Sequence, residues 1–443
     1  MMKSFRPHSS PRRDFLKIGA GSTLGLSMSL DQLLAAQSAA GKNAKDDISF
    51  IFVFLKGGLS TIDTFDMKPD APSSVRGPFK DMSTNIPGTR ICDQLPNIAK
   101  TMDKFSVVRS LTHSNAGHGH ADHFVITGYH PGPGFNVGLK PNNQHPSMGS
   151  LIASKLGPRG GIPPYICLPN MPNSGSSAYL GPKAAPFTIE ADPNSPDFAV
   201  PDLLPPIAVD SSRLDDRRHL MAKIDRFRDT AEQKANTSAR ELGEFSARAT
   251  DLMTSKAARD AFDLSSEPDK LRDKYGRTTL GQSCLMARRL VEAGTRCVTV
   301  EHSNWDTHYY NFTVLHDDLL PKLDLAMSAL FQDLSDRSML EKTLVVITGE
   351  FGRTPVINKD EGRDHWSRCF SVMMGGGGIA GGRLIGKSDK WASDPAEDPY
   401  APADLSATVY HLLGINPKSE MHTPDGRPVM VTNNGQVIED LLV

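Results

Sequence analysis

The run Ile48-Ser-Phe-Ile-Phe-Val-Phe-Leu55 is the strongest constraint on how this chain folds. It is apolar almost throughout, rich in β-branched and aromatic residues, and it stops at Gly57-Gly58. A strand with no polar face has to be covered on both sides, which is the position of a central strand in a parallel sheet. Further apolar runs lie at Phe105 to Val108, Tyr165 to Leu168, Arg296 to Val300, Thr343 to Thr348 and Phe370 to Met374. Helical patterns fall between them, at Gly117 to Thr127, Met148 to Lys155, Leu280 to Ala293, Phe312 to Leu334 and Asp404 to Leu413. This alternation predicts an α/β fold, a doubly wound and mostly parallel sheet with helices on both faces. Residues at about 211–275 depart from it, being dense in charge with Leu220, Ile224 and Phe227 at helical spacing. They predict a helical insertion against one sheet edge, its charges forming a solvated face. Pro- and Asn-rich loops between 130 and 206 would lie over strand ends, where α/β proteins assemble ligand sites.

Charge and cysteine usage narrow the function. The 49 basic and 51 acidic residues nearly cancel, which argues against a nucleic-acid partner. None of the five cysteines forms a CxxC pair, which removes zinc-ribbon and thioredoxin readings. Their odd number leaves at least one unpaired or bonded to another chain, and most read as small buried hydrophobes. At the N-terminus, Pro11-Arg12-Arg13-Asp14-Phe15-Leu16-Lys17 precedes a weakly apolar Gly/Ser-rich run, Ile18 to Leu34, and then Ser38-Ala39-Ala40. That order predicts a twin-arginine export signal over residues 1–40, a mature domain over 41–443, and a periplasmic or extracytoplasmic location. The run is too short and too interrupted for an integral membrane span, which needs about 20 apolar residues. Loss of residues 1–40 removes five basic and two acidic side chains and leaves the mature chain at −5.

Three clusters carry the chemistry. Six of the 14 histidines, His113, His118, His120, His123, His130 and His145, fall within 33 residues. Those at the start of the predicted helix would sit at its positive dipole end, which suits an anion. They read either as metal ligands or as helix caps and partners of carbonyls. The second cluster, His302-Ser-Asn-Trp-Asp306-Thr-His308, follows a buried strand, so Asp306 and His308 would enter the crevice beyond its carboxyl end. An oxygen and a nitrogen donor there suit zinc, manganese or iron. The third is Gly349-Glu350-Phe-Gly352-Arg353-Thr354 with Gly362-Arg363-Asp364-His365-Trp366. Glu350 would supply a hard anionic ligand, Arg353 a fork for phosphate or sulfate oxygens, and His365 a donor returning on a nearby loop. A structural Arg to Glu pair is the other reading of this cluster. After the first strand, Asp63 or Asp66 would complete the set, so that four strand ends converge on Asp, Glu or His.

The motifs GGLSTIDTFDMKP (Gly57 to Pro69), HGHADHFVITGYHP (His118 to Pro131), NWDTH (Asn304 to His308), GEFGRTP (Gly349 to Pro355), GRDHW (Gly362 to Trp366) and GGGGIAGGRLIG (Gly375 to Gly386), behind a twin-arginine leader, resemble a large exported bacterial family. That family, abundant in planctomycete-like bacteria and of unsettled activity, falls in the alkaline phosphatase and sulfatase-like superfamily. The resemblance spans nearly the whole mature chain. It implies a sheet holding one or two divalent metals at strand ends, with Asp63, Asp306, His308, Glu350 and His365 as ligands. Zinc is the first choice of metal, then manganese, calcium or iron. It also aligns His118 with the helix N-terminus that presents the phosphatase nucleophile, where a Ser or Thr is usual. Glu350 likewise stands in place of an Asp-His pair.

Two functions follow. One is a metal-dependent hydrolase of phosphate or sulfate esters, with His118 as nucleophile or acid/base and Arg353 on the anion. Its substrate would be a small anionic ester or a sulfated or phosphorylated polymer. The other is a non-catalytic exported binding protein that keeps the phosphatase-like fold.

Overall fold

The computed structural model describes residues 48–200 and 256–443. The expected export signal lies outside them, as does most of the expected helical insertion. Of that segment, the described part forms helices α3 (Lys256–Phe262) and α4 (Asp269–Tyr275).

Eight strands form one mixed sheet. In chain order they are β1 (Ser49–Leu55), β2 (Phe105–Leu111), β3 (Tyr165–Leu168), β4 (Phe187–Thr188), β5 (Cys297–His302), β6 (Thr343–Thr348), β7 (Phe370–Gly375) and β8 (Leu384–Ile385). Their spatial order is β8-β2-β7-β6-β1-β5-β3-β4. The β1 strand is central, parallel to β5 on one side and β6 on the other, with Phe54 opposite both Glu301 and Thr348.

The apolar run of β1 divides by parity. Ile51, Val53 and Leu55 enter a core shared with α5 (Thr279–Glu292) and α6 (Leu320–Asp336), through Leu285, Leu290, Leu323 and Phe331. Phe50, Phe52 and Phe54 enter a second core with α1 (His118–Thr127), α2 (Met148–Leu156) and α7 (Pro402–Leu412), through Val125, Leu151, Leu405 and Val409. Period-two alternation therefore sends alternate side chains into opposite layers, and helices cover both faces. Each of these buried Phe rings contributes roughly 2–3 kcal/mol. All five cysteines are buried and unpaired.

Two details depart from the sequence expectation. The helix expected from Phe312 begins at Asn311–Val314 and passes through a π-helical turn at Leu315–Leu319 before α6. Pro321 stands at the start of α6 and has no N–H to continue the regular ladder. The β7 strand runs antiparallel to both β6 and β2. The reason is the route of residues 349–369: they stay at the carboxyl edge of the sheet instead of crossing back as a helix, so the next strand has to return in the opposite direction.

The α1 helix is fixed at both ends. Gly117 starts it in extended conformation, and Gly128 ends it with φ 77°, where a Cβ would lie 2.3 Å from Ser406 Oγ of α7. On its inner side His123 is fully buried. Its Nδ1 faces the Tyr129 carbonyl at 2.9 Å, and its Nε2 accepts the amides of Gln144 and His145 at 3.2 and 3.3 Å. A carbonyl cannot donate and an amide cannot accept, so the ring is held neutral with its hydrogen on Nδ1. Burial pushes its pKa down from 6.5 to about 4. Because the folded value is depressed, His123 adds stability above pH 6.5, about 3 kcal/mol, that is lost as the pH falls toward 4. Thermal melts should therefore show Tm dropping between pH 6.5 and 4, with a shallower drop in His123→Gln. An equal slope in the variant would refute this assignment.

Candidate metal centre

Four segments meet at the carboxyl edge of the sheet. The turn after β1 brings Gly57 against the backbone of Asp306, which follows β5: a Cβ on Gly57 would stand 2.3 Å from the Asp306 nitrogen, and its φ is +114°. The Trp305 amide donates to the Lys56 carbonyl at 3.2 Å, and the Gly57 amide donates to both Glu350 oxygens, at 2.9 and 3.0 Å. Just past β6, the short pair Gly352–Arg353 and His365–Trp366 sets His365 beside Arg353. The α1 helix contributes its first residue, His118.

The imidazoles share one pattern. His118 Nδ1 lies 2.6 Å from Glu350 Oε1, His365 Nδ1 2.7 Å from the Ala116 carbonyl, and His308 Nδ1 2.7 Å from Asp364 Oδ1. All three partners are acceptors, so each Nδ1 carries hydrogen and each Nε2 turns inward. Around Asp306, His118 Nε2 is 3.1 Å from Oδ2, and His365 Nε2 and His308 Nε2 are each 3.0 Å from Oδ1. His308 Nε2 and His365 Nε2 also face each other at 3.0 Å. Two nitrogens that each carry hydrogen elsewhere on the ring need a proton or a cation between them. His118, Asp306 and His365 offer donor atoms all within 4.8 Å of one another, which suits a metal held by nitrogen and oxygen ligands. The Nδ1 partners are of the kind that orient metal-binding histidines.

Electrostatics sharpen the group. Hydrogen bonds donated to Asp306 and then to Glu350 push His118 up to about 9, against the opposing effect of burial. Burial works to raise the Asp306 carboxyl, but hydrogen bonds from His118, His365 and Arg353 outweigh it and hold Asp306 far below the carboxylate range. The proton His118 keeps on Nε2 is the one a ligand surrenders when metal binds.

Of the residues expected at this centre, Asp306, His308 and His365 are brought together, and His118 joins them directly. Glu350 stands one step behind, its oxygens committed to His118 and Gly57. Asp63 is placed elsewhere. It is fully buried, its two oxygens take Arg363 Nε and Nη2 at 2.8 Å each, and Ser60 and Asn311 also donate to it. A buried carboxylate paired through both oxygens with one guanidinium already has its cation, so the expected ligand role is revised to that of a buried counter-ion. Asp66 is tied to Ser388, Lys68 and Arg109. Arg353 reaches the centre, but its guanidinium faces inward, onto the carbonyls of Gly57, Gly58 and Arg363 and onto Asp306 Oδ1 at 2.5 Å. It fixes Asp306 instead of presenting the expected fork to an anion. Asp364, Phe351 and Ala116 were not singled out by the sequence. Asp364 adjoins His365 and was open to notice; the Phe351 ring, stacked on His365 at 4.4 Å, and the Ala116 carbonyl carry no pattern of their own.

The chain belongs to the family described as "Protein of unknown function (DUF1501)", which matches residues 47–442. No curated protein matches it. Among solved structures, the lipoteichoic acid synthase LtaP from Listeria monocytogenes is 11% identical with a TM-score of 0.38, over 88% of this chain and 76% of that one. The PsFucS1 sulfatase from Pseudoalteromonas sp. is 10% identical with a TM-score of 0.36, over 91% and 72%. The phosphonate monoester hydrolase SpPMH from Silicibacter pomeroyi is 10% identical with a TM-score of 0.37, over 89% and 76%. Likeness at this level identifies no shared chemistry.

The closeness of Gly57 to Asp306 yields a test. Gly57→Ala forces a side chain into a left-handed backbone and against the Asp306 amide, so it should cost more than about 2 kcal/mol and displace Asp306. Chemical denaturation should show the loss; a variant as stable as the parent would contradict the packing described.

Proposed function

We propose that the protein is an exported, metal-dependent hydrolase of phosphate or sulfate esters, acting on a small anionic ester or on a sulfated or phosphorylated polymer. The observation that carries this is the ring of three imidazole Nε2 atoms around Asp306, each ring oriented from behind by an acceptor on Nδ1. His118, Asp306 and His365 would hold the ion, with His308 beside them. Imidazole-rich donors favour zinc, then manganese or iron, over calcium, which takes oxygen ligands. A divalent cation bound there supplies Lewis-acid polarisation of the ester oxygen.

The chain's own residues fit direct displacement by water. Among the described residues no hydroxyl or thiol hydrogen-bonds to Asp306 or to the three imidazoles, and His118 has both ring nitrogens engaged by carboxylates. His308, oriented by Asp364, is the base that would take the water's proton at Nε2. The missing hydroxyl also favours a second reading, a binding protein that retains the fold without turnover.

Metal analysis of the purified mature protein, followed by an ester screen, tests the proposal. Bound divalent metal is expected near one per chain, lost in Asp306→Ala together with turnover, while Asp364→Asn lowers turnover about 10–100-fold. Metal with no turnover of any phosphate or sulfate ester would favour the binding protein. Protein that binds no divalent metal would overturn both the centre and the mechanism.

We propose export by the twin-arginine route as well, on the residues Arg12, Arg13, Ser38 and Ala40. Among the described residues no helix is long and apolar enough to cross a membrane. The mature N-terminus should be Gly41, and Arg12→Lys with Arg13→Lys should leave the precursor in the cytoplasm. N-terminal sequencing of cell fractions decides it; an intact Met1 chain in the cytosol alone would sink the proposal.

A further inference from the structure

Directly after His308 the chain places two aromatic rings in water. Tyr309 and Tyr310 are 64% and 63% exposed, well above Trp391 at 43%. This is not a loose loop. Tyr310 has φ 51° and ψ 39°, a left-handed conformation that a bulky residue adopts only under constraint. The constraint comes from the turn at residues 358–362. The amides of Tyr310 and Asn311 donate to the carbonyls of Asp360 and Glu361 at 3.0 and 2.9 Å, and Asn358 Nδ2 donates to the His308 carbonyl at 3.0 Å. Gly362 lies so close beneath that a Cβ there would meet the His308 oxygen at 1.8 Å. Glu361, across from Tyr310, is also left-handed, with φ 56°.

The same turn leads into Asp364 and His365, so the brace under the two rings is continuous with the centre. Backbone strain and exposed apolar surface both oppose folding, and their concentration at the edge of a donor cluster points to a ligand. Its chemistry follows from what the surface offers. Tyrosine rings present an apolar face beside a hydroxyl. Ser303 and Asn304, also exposed, add hydrogen-bonding groups on the same loop. A lipid chain would leave those polar groups unpaired, whereas a sugar ring has an apolar C–H face for the phenol and hydroxyls for the hydroxyl and amide.

We propose that Tyr309 and Tyr310 form the platform on which the sugar ring of a sulfated or phosphorylated saccharide lies, with its ester group directed to the centre around Asp306. The nature of the ester rests on the hydrolase reading above; binding of the ring does not, and is measurable without turnover.

The test is affinity electrophoresis of the mature, metal-loaded protein through native gels containing carrageenan, heparin or dextran sulfate. Because the mature chain is acidic, bulk charge attraction to these polyanions does not assist retention. The parent should be retarded by at least one of them. Tyr309→Ala and Tyr310→Gly, the latter keeping the left-handed backbone, should each weaken the apparent affinity at least about 5-fold, while Tyr309→Phe stays near the parent. Metal content and Tm should be unchanged by Tyr309→Ala and unchanged or raised by Tyr310→Gly. No retardation by any of the three polymers, or equal retardation of parent and ring-deleted variants, overturns the proposal. Ring-dependent retention without ester turnover supports the platform while defeating the hydrolase reading. Turnover with ring-independent retention does the reverse.

Discussion

The turn Lys56-Gly57-Gly58 is the constraint on which the centre depends. It closes β1, the middle strand, and offers backbone groups in three directions. The Gly57 amide holds Glu350, the Gly57 and Gly58 carbonyls hold Arg353, and the Lys56 carbonyl takes the Trp305 amide one residue before Asp306. Segments nearly 300 residues apart in sequence are thereby set against one strand end, and both glycines are needed because the Asp306 backbone and the Phe351 ring leave no room for a Cβ. Through Glu350 the turn orients His118, and through Arg353 it orients Asp306. The geometry of the donor atoms is thus inherited from the rigid middle of the sheet, although the donors themselves lie on loops and a helix end.

The bridge between Asp63 and Arg363 performs a second kind of anchoring. Both side chains are fully buried, and Arg363 also donates to the carbonyls of Thr354, Pro355 and Val75. It therefore ties the loop after β1 to the segment that carries Asp364 and His365. Removing either partner would leave an uncompensated buried charge, which is far more costly than the pair is stabilising.

The same pair shows what was legible in the sequence. Apolar runs located the strand ends, because hydrophobic patterning records burial directly; that is why Asp306, His308 and Glu350 could be placed at the carboxyl edge of the sheet from sequence. What patterning does not record is which partner a charged group meets. Asp63 and Asp306 look alike in sequence, each just past a buried strand. Only folding shows that a guanidinium 300 positions away pairs with one and that imidazoles surround the other. The histidine-rich stretch divides for the same reason. His118 faces the centre, while His113 and His123 are buried against carbonyls and amides, His113 through the Glu350 carbonyl and the Asn115 amide. The direction of β7 was also hidden, since an apolar run reads the same either way along the sheet.

Behind the centre lie two buried carboxyl groups that hydrogen bonds leave wholly or partly unsatisfied. Asp122 is one helical turn after His118 on α1 and fully buried, and neither of its oxygens has a partner; Glu301 Oε2, on β5, is likewise unpartnered. Burial, with Glu350 and Glu301 nearby, pushes Asp122 well above the carboxylate range, while Lys56 and His118 pull the other way. An unpartnered buried carboxyl costs stability, and protonation lessens that cost. A protonated Asp122 adds no charge, so the anionic surroundings of the three imidazoles come from Asp306, Glu350 and Asp364, with the Arg353 guanidinium opposing them. For the proposed hydrolase, a cation held by His118, Asp306 and His365 would offset that negative field and so would favour the approach of an anionic ester.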